Sequence, residues 1–214
     1  MNHKEFEVCP FKIVVDTNEG APYQFQGMKS RPKKLPLVIN MVKKPLWSWD
    51  RAKWGVGLAD YSIDSLEYEI QIERKSISDL FSTLSQRREN FENEISRLNQ
   101  QCKVACVIVE GSYGHIASFK EHGPDPSSVI GTIISWGQRY PRVHWIPAGS
   151  RDMAERLAFR FLERYWLDRE EALKSAANQD AKSATEGSTR NDSHEKTTAS
   201  NTMGRVEPVN SGSN

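Results

Sequence analysis

Residues 59–80 read ADYSIDSLEYEIQIERKSISDL: an apolar-alternating run closes on three adjacent charges, Glu73, Arg74 and Lys75, with Asp79 four residues further on. Two runs, Leu58 to Ile63 and Tyr68 to Arg74, flank the turn-like DSLE, the pattern of a β-hairpin. After Ser76 the period changes. Ile77, Leu80, Phe81, Leu84, Phe91, Ile95 and Leu98 recur mostly at three- and four-residue spacing, which predicts one amphipathic helix ending near Gln100. A strand that closes on charges either releases them to water or holds them at its rim for a purpose. Residues two apart share a face, so Glu73 and Lys75 point one way and Arg74 the other, while Asp60 on the preceding strand reaches the same end of the sheet.

Upstream, FKIVVDTNEG (11–20) predicts a buried strand that delivers Asp16 at its end. Downstream, KVACVIVEG (103–111) lacks alternation and predicts a central strand covered on both faces, with Glu110 as a solvated strand end. A short helix stopped by Gly123 follows, then a helix opened by Asp125 at the N-cap and Pro126 at N1, a strand at RVHWIP, and a last amphipathic helix capped by Ser150. Strands alternating with helices predict an α/β sandwich. The expected organisation is a lead-in over 1–10, one domain over 11–168, and a polar tail over 169–214. That tail has too little apolar surface to offset its ordering entropy and is expected to be disordered.

The chain has 214 residues, enough for one well-cored domain but not for two. Its formal net charge of +1 says nothing about an anionic partner, because local asymmetry hides inside a balanced total. Cys9, Cys102 and Cys106 show no paired spacing, which argues against a disulfide framework or a zinc knuckle. No apolar run is long enough for a membrane span and the first residues lack a signal-peptide core, so no membrane partner is expected. The expected location is intracellular: cytoplasm or nucleoid in a prokaryote or phage, nucleus in a eukaryote.

Local asymmetry is strong in the segment 26–54. Lys29, Arg31, Lys33, Lys34, Lys43, Lys44, Arg51 and Lys53 face a single acid, Asp50, with Trp47, Trp49 and Trp54 interleaved and prolines at 32, 36 and 45. Such a stretch resists a long helix. On one reading Lys33, Lys34, Lys43 and Lys44 attract DNA phosphates while Trp47 and Trp49 stack on unpaired bases. On the other, the tryptophans pack down and the lysines stay in solvent.

Two carboxylates converging with one ammonium form a recognisable chemical set. Hard oxygen ligands suit Mg²⁺, which keeps several waters and readily takes phosphate oxygens, and a lysine beside them can steady charge on a phosphoryl group. An Asp followed, about a hairpin later, by Glu-x-Lys is the general signature of restriction-endonuclease-like nucleases. Spacing alone leaves a solvated strand end open as the alternative.

The longer string is more specific. Asp60 followed by Glu73-Arg74-Lys75 and Asp79 resembles the G-D…E-R-K-x-x-x-D motif of the XPF-type structure-specific endonucleases. VVDTNE, with Asp16 and Glu19, resembles that family's upstream V-D-x-R-E, VIVEG resembles its central strand and QRRENFENEISRL its helix; the likeness runs from about Phe11 to about Trp166. It implies a restriction-endonuclease-like fold, a mixed central β-sheet flanked by helices. It also implies Asp60 and Glu73 as Mg²⁺ ligands, with Mn²⁺ as a substitute, and the Arg74 carbonyl beside them. Lys75 is implied as the water- or charge-positioning group, and Asp16 and Glu19 as outer metal ligands. Asp79, with Arg88, is implied as a supporting or DNA-contacting residue, and Arg87 and Arg88 as phosphate contacts. The implied activity is Mg²⁺-dependent hydrolysis of branched, flap or junction DNA by a homodimer or a heterodimer. Other readings are a resolvase-like or restriction-like nuclease and a non-catalytic scaffold of the same fold. Asn18 stands where the family has Arg, and Ala59 where it has Gly. Ser76 and Asp79 also form a capping box at the helix start.

Overall fold

The computed structural model describes residues 5–31, 33–46 and 59–198, with side chains to residue 181. Its backbone follows the alternation that the hydrophobic runs demand. The strands are β1 (Glu7–Asp16), β2 (Leu37–Lys44), β3 (Tyr61–Ile63), β4 (Ile70–Lys75), β5 (Val104–Val109) and β6 (Val143–Pro147). The helices are α1 (Ile77–Gln86), α2 (Arg88–Gln101), α3 (Tyr113–Ser118), α4 (Pro126–Arg139) and α5 (Arg151–Thr198). The six strands form one mixed sheet in the order β2-β1-β3-β4-β5-β6. β1 with β2, β4 with β5 and β5 with β6 are parallel; β3 runs antiparallel to both of its neighbours.

Each face carries its own core, divided by the two-residue period of the strands. Ile13, Val15, Ile70, Ile72, Cys106 and Ile108 pack under Ala154, Ala158, Phe159 and Leu162 of α5. Ala105, Val107 and Val109 face the other way, against Leu80, Leu84, Phe91 and Ile95 of α1 and α2 and Ile133 and Trp136 of α4. β5 is thus covered on both sides, which is why its sequence shows no alternation. The three cysteines are buried and free, and burial pushes the Cys9 and Cys102 thiols up to about 11.

Several expectations change in detail. β1 begins at Glu7, so the end of the expected lead-in, Glu7 to Pro10, belongs to the sheet. Within the basic segment lies β2, an edge strand whose alternation in LVINMVKK is masked by flanking lysines and prolines. The single helix expected from Ser76 is two, broken at Arg87 (φ −133°, ψ 29°), where the apolar stripe skips from Leu84 to Phe91. α3 stops at Ser118, before Gly123, whereas Asp125 and Pro126 open α4 as expected.

Beyond Trp166 the described residues form a unit of their own. The part from residue 169 on is the polar tail that the composition sets apart, and the backbone of α5 continues into it as far as Thr198. Every described side chain from 171 to 181 is exposed, so the segment adds no core, as its composition requires. Its Ala, Glu, Lys and Gln residues favour helix without needing a partner surface.

Candidate active site

The β-ladder sets the site. Val15 pairs with Tyr61, and Tyr61 with Ile72. One step further along each ladder, Asp16, Asp60 and Glu73 stand in a row across β1, β3 and β4. The backbone holds that step, because Asp16 N–H donates to the Asp60 carbonyl at 2.8 Å and Asp60 N–H to the Ile72 carbonyl at 2.9 Å. Ser62 Oγ donates to the Ile70 carbonyl at 2.7 Å and pins the hairpin in this register. Asp60 and Glu73 are therefore cross-strand neighbours on one face.

Like charges so placed disfavour each other. Burial, and next the Glu73 charge, push the Asp60 carboxyl well above the usual carboxylate range; the Arg74 N–H, donating to Asp60 Oδ2 at 2.7 Å, offsets only part of this. Lys75 shares the face. Its Nζ lies 2.9 Å from Glu73 and 3.1 Å from Asp79, and 4.9 Å from the Phe91 ring centroid. Burial opposes its charge, but Glu73 and Asp79 outweigh that and raise its pKa above the lysine norm. Lys75 is a committed cation, a donor rather than a base. Asp79 also serves the helix, its N–H donating to Ser76 Oγ at 3.0 Å, which is the Ser76 half of the expected capping box. Glu94 on α2, which the sequence did not single out, joins the same field: burial and then Glu73 raise its carboxyl.

Arg74 turns to the opposite face. Its guanidinium donates to Glu19 at 3.1 Å through two nitrogens and to Glu110 at 3.2 Å. Arg151 continues the chain of ion pairs, reaching Glu110 at 2.7 Å and the Ala21 carbonyl at 2.6 Å while lying over Tyr23. Burial would raise the Glu19 carboxyl, but bonds from Arg74 and the Ala21 N–H hold it below its ordinary value. Glu110 is thus an ion-pair partner rather than a solvated strand end. Arg151, not singled out in the sequence, is the first residue of α5, directly after the Ser150 expected to cap that helix.

The other candidates divide. Both oxygens of Asp16 accept backbone N–H groups, from Asn18 at 2.7 Å and Leu46 at 2.8 Å, which makes it a loop anchor. Arg87 is exposed beside Lys75, whereas Arg88 donates to Thr132 at 2.9 Å and lies over Trp136. Lys33, Lys34 and Lys43 are exposed, and Lys44 is paired with Asp64 and Glu67. Trp47 and Trp49 lie outside the described residues. Ala59 is not among the residues of positive φ, so its place before Asp60 needs no glycine.

A divalent cation suits this arrangement on charge grounds. Asp60, Glu73 and Asp79 set three carboxylates against the single ammonium of Lys75. Among the described residues no three Asp, Glu, His or Cys side chains gather as a ready-made cage. Mg²⁺ does not require one, since it is commonly held by one or two carboxylates and fills its remaining positions with water and phosphate oxygens.

A mixed sheet carrying paired carboxylates and a lysine at one strand end defines the restriction-endonuclease-like class. Residues 15–161 match the family model described as the ERCC4 domain. The chain therefore belongs to the ERCC4 domain family, that of the XPF-type structure-specific endonuclease domains. Among solved structures it is similar to XPF from Aeropyrum pernix, with a TM-score of 0.51 and 17% identity over 77% of this chain and 69% of that one. A second structure, XPF from Aeropyrum pernix in complex with DNA, gives a TM-score of 0.48 and 17% identity, covering 74% of this chain and 66% of that one. No curated protein matches the chain.

Proposed function

We propose that this protein is a Mg²⁺-dependent DNA endonuclease that cuts phosphodiester bonds at branched, flap or single-strand to double-strand junctions. The observation that carries the proposal is the cross-strand approach of Asp60 and Glu73 with Lys75 bound to Glu73. Asp60 and Glu73 would hold the ion, which when bound supplies Lewis acidity toward the phosphoryl group and toward water. The Arg74 N–H orients the Asp60 carboxylate toward its neighbour. Lys75, kept protonated by Glu73 and Asp79, offers a fixed positive charge to the phosphoryl oxygens as negative charge builds on them. Phe91 beneath the ammonium and Asp79 beside it limit where that charge can go.

Family membership supports a nuclease; metal dependence and branch preference are our reading. The test is nicking of labelled flap, fork, four-way and linear DNA, with Mg²⁺, with Mn²⁺ and with chelator, by the wild type, Asp60→Asn and Lys75→Ala. Cutting of branched DNA that needs both metal and these side chains supports the proposal. Equal cutting of linear DNA removes the branch preference, and binding without cutting under any metal leaves a scaffold.

A further inference from the structure

A cleft of about 280 Å³ opens beside Lys75 between α1 and α2. It exists because the helix breaks at Arg87, so that the end of α1 and the first turns of α2 form its two sides. Thr83, Arg87, Asn90, Asn93 and Glu94 line it together with Lys75. Asn90 and Asn93, three apart, share a helix face, and both are exposed, as is Arg87. Arg87 occupies the N-cap of α2 without capping it by its side chain, and its contact to Thr83 Oγ1 is long, at 3.5 Å.

The lining chooses its ligand. Two guanidiniums, Arg87 and Arg97, two carboxamides, a hydroxyl and the Lys75 ammonium all offer donors, against the one carboxyl of Glu94, so a group made only of acceptors fits best. The aromatic ring here, Phe91, is 1% exposed and lies under Lys75, which leaves no face on which a base could stack. Phosphate meets these conditions and a nucleobase does not. Because Lys75 belongs both to the cleft and to the ion site, a group in the cleft sits next to the one being cut.

We propose that this cleft is a second phosphate subsite, receiving the phosphate adjacent to the scissile one, so that the α1–α2 break selects which linkage is presented to Asp60 and Glu73. The proposal rests on the nuclease reading above. Arg87 supplies the charge, and Asn90 and Asn93 the directional donors.

The experiment measures binding rather than cutting. Fluorescein-labelled flap DNA, with each phosphate in turn replaced by a neutral methylphosphonate, is titrated in chelator against the wild type, Arg87→Gln and Asn93→Asp. Wild-type affinity should fall about tenfold at one linkage beside the cut. Both variants should lose that sensitivity, with the salt slope reduced by about one in Arg87→Gln. Unchanged methylphosphonate profiles in both variants overturn the subsite. So does inorganic phosphate that saturates an Arg87-dependent site without displacing DNA, which would make the cleft a site for free anions. A profile that follows Arg87 in a protein that cuts nothing under any metal keeps the subsite and removes the nuclease reading. Both substituted side chains are exposed, and melting curves check that the variants fold.

Discussion

The last three residues of β4 supply two neighbouring regions of opposite character. On the α5 side, Arg74 and Arg151 meet Glu19 and Glu110 in one chain of ion pairs, two guanidiniums for two carboxylates. On the α1–α2 side, Glu73 and Asp79 share one ammonium with Asp60 beside them, and the Asp60 carboxyl is driven upward by burial and then by the Glu73 charge. Successive side chains on one strand thus feed a balanced clamp and an unbalanced site. The first braces the strand end; the second is short of the charge that a cation would bring.

The largest effect should come from the unbalanced side. Lys75→Ala and Asp60→Asn should each lower the cleavage rate by roughly 10²–10³, read in single-turnover assays on flap DNA. If either variant cuts at the wild-type rate, the contrast between the two faces fails.

Metal should act on the same side alone. Mg²⁺ at about a hundred times its dissociation constant should stabilise the wild type by about 2.7 kcal/mol and leave Asp60→Asn unmoved, measured by thermal melting without DNA. A shift of equal size in both would place the ion elsewhere.

The clamp side should answer in stability and pH. Glu19→Gln should cost about 2 kcal/mol at neutral pH. The Glu19 carboxyl lies below its ordinary value, so its contribution is complete above that value and is lost as pH falls through the depressed one. Urea titrations should therefore show wild type and variant converging in acid. A gap that persists there would mean lost packing rather than a lost charge pair.

The smallest effect concerns Arg88, whose contacts are to α4. Arg88→Ala should cost about 1 kcal/mol and leave DNA affinity unchanged by anisotropy, in contrast to Arg87→Gln. A loss of affinity would return Arg88 to the DNA-contacting set.

Much of this was legible in the sequence where local chemistry decides. The two-residue period puts Glu73 and Lys75 together and Arg74 opposite, and Asp125-Pro126 marks the start of α4. Long-range pairing was not legible. Nothing in the spacing of Asp16 shows that Leu46 would claim one of its oxygens, nor does the letter R at 151 announce Glu110. The break at Arg87 left a trace, the empty interval between Leu84 and Phe91, which a stricter reading of the stripe would have used. β2 was hidden because an edge strand needs only one covered face, and its run Leu37 to Val42 stands between Lys33 and Lys34 on one side and Lys43 and Lys44 on the other.

The Ser62–Ile70 bond gives the hairpin an importance beyond its own few residues. If β4 slid by a single position against β3, its inward and outward side chains would trade places. Asp60 would then face a guanidinium instead of a carboxylate, and the sheet would keep its shape while losing its chemistry. Residues 64–69, which touch no substrate on any reading, are thus where a harmless-looking insertion or deletion would do the most damage.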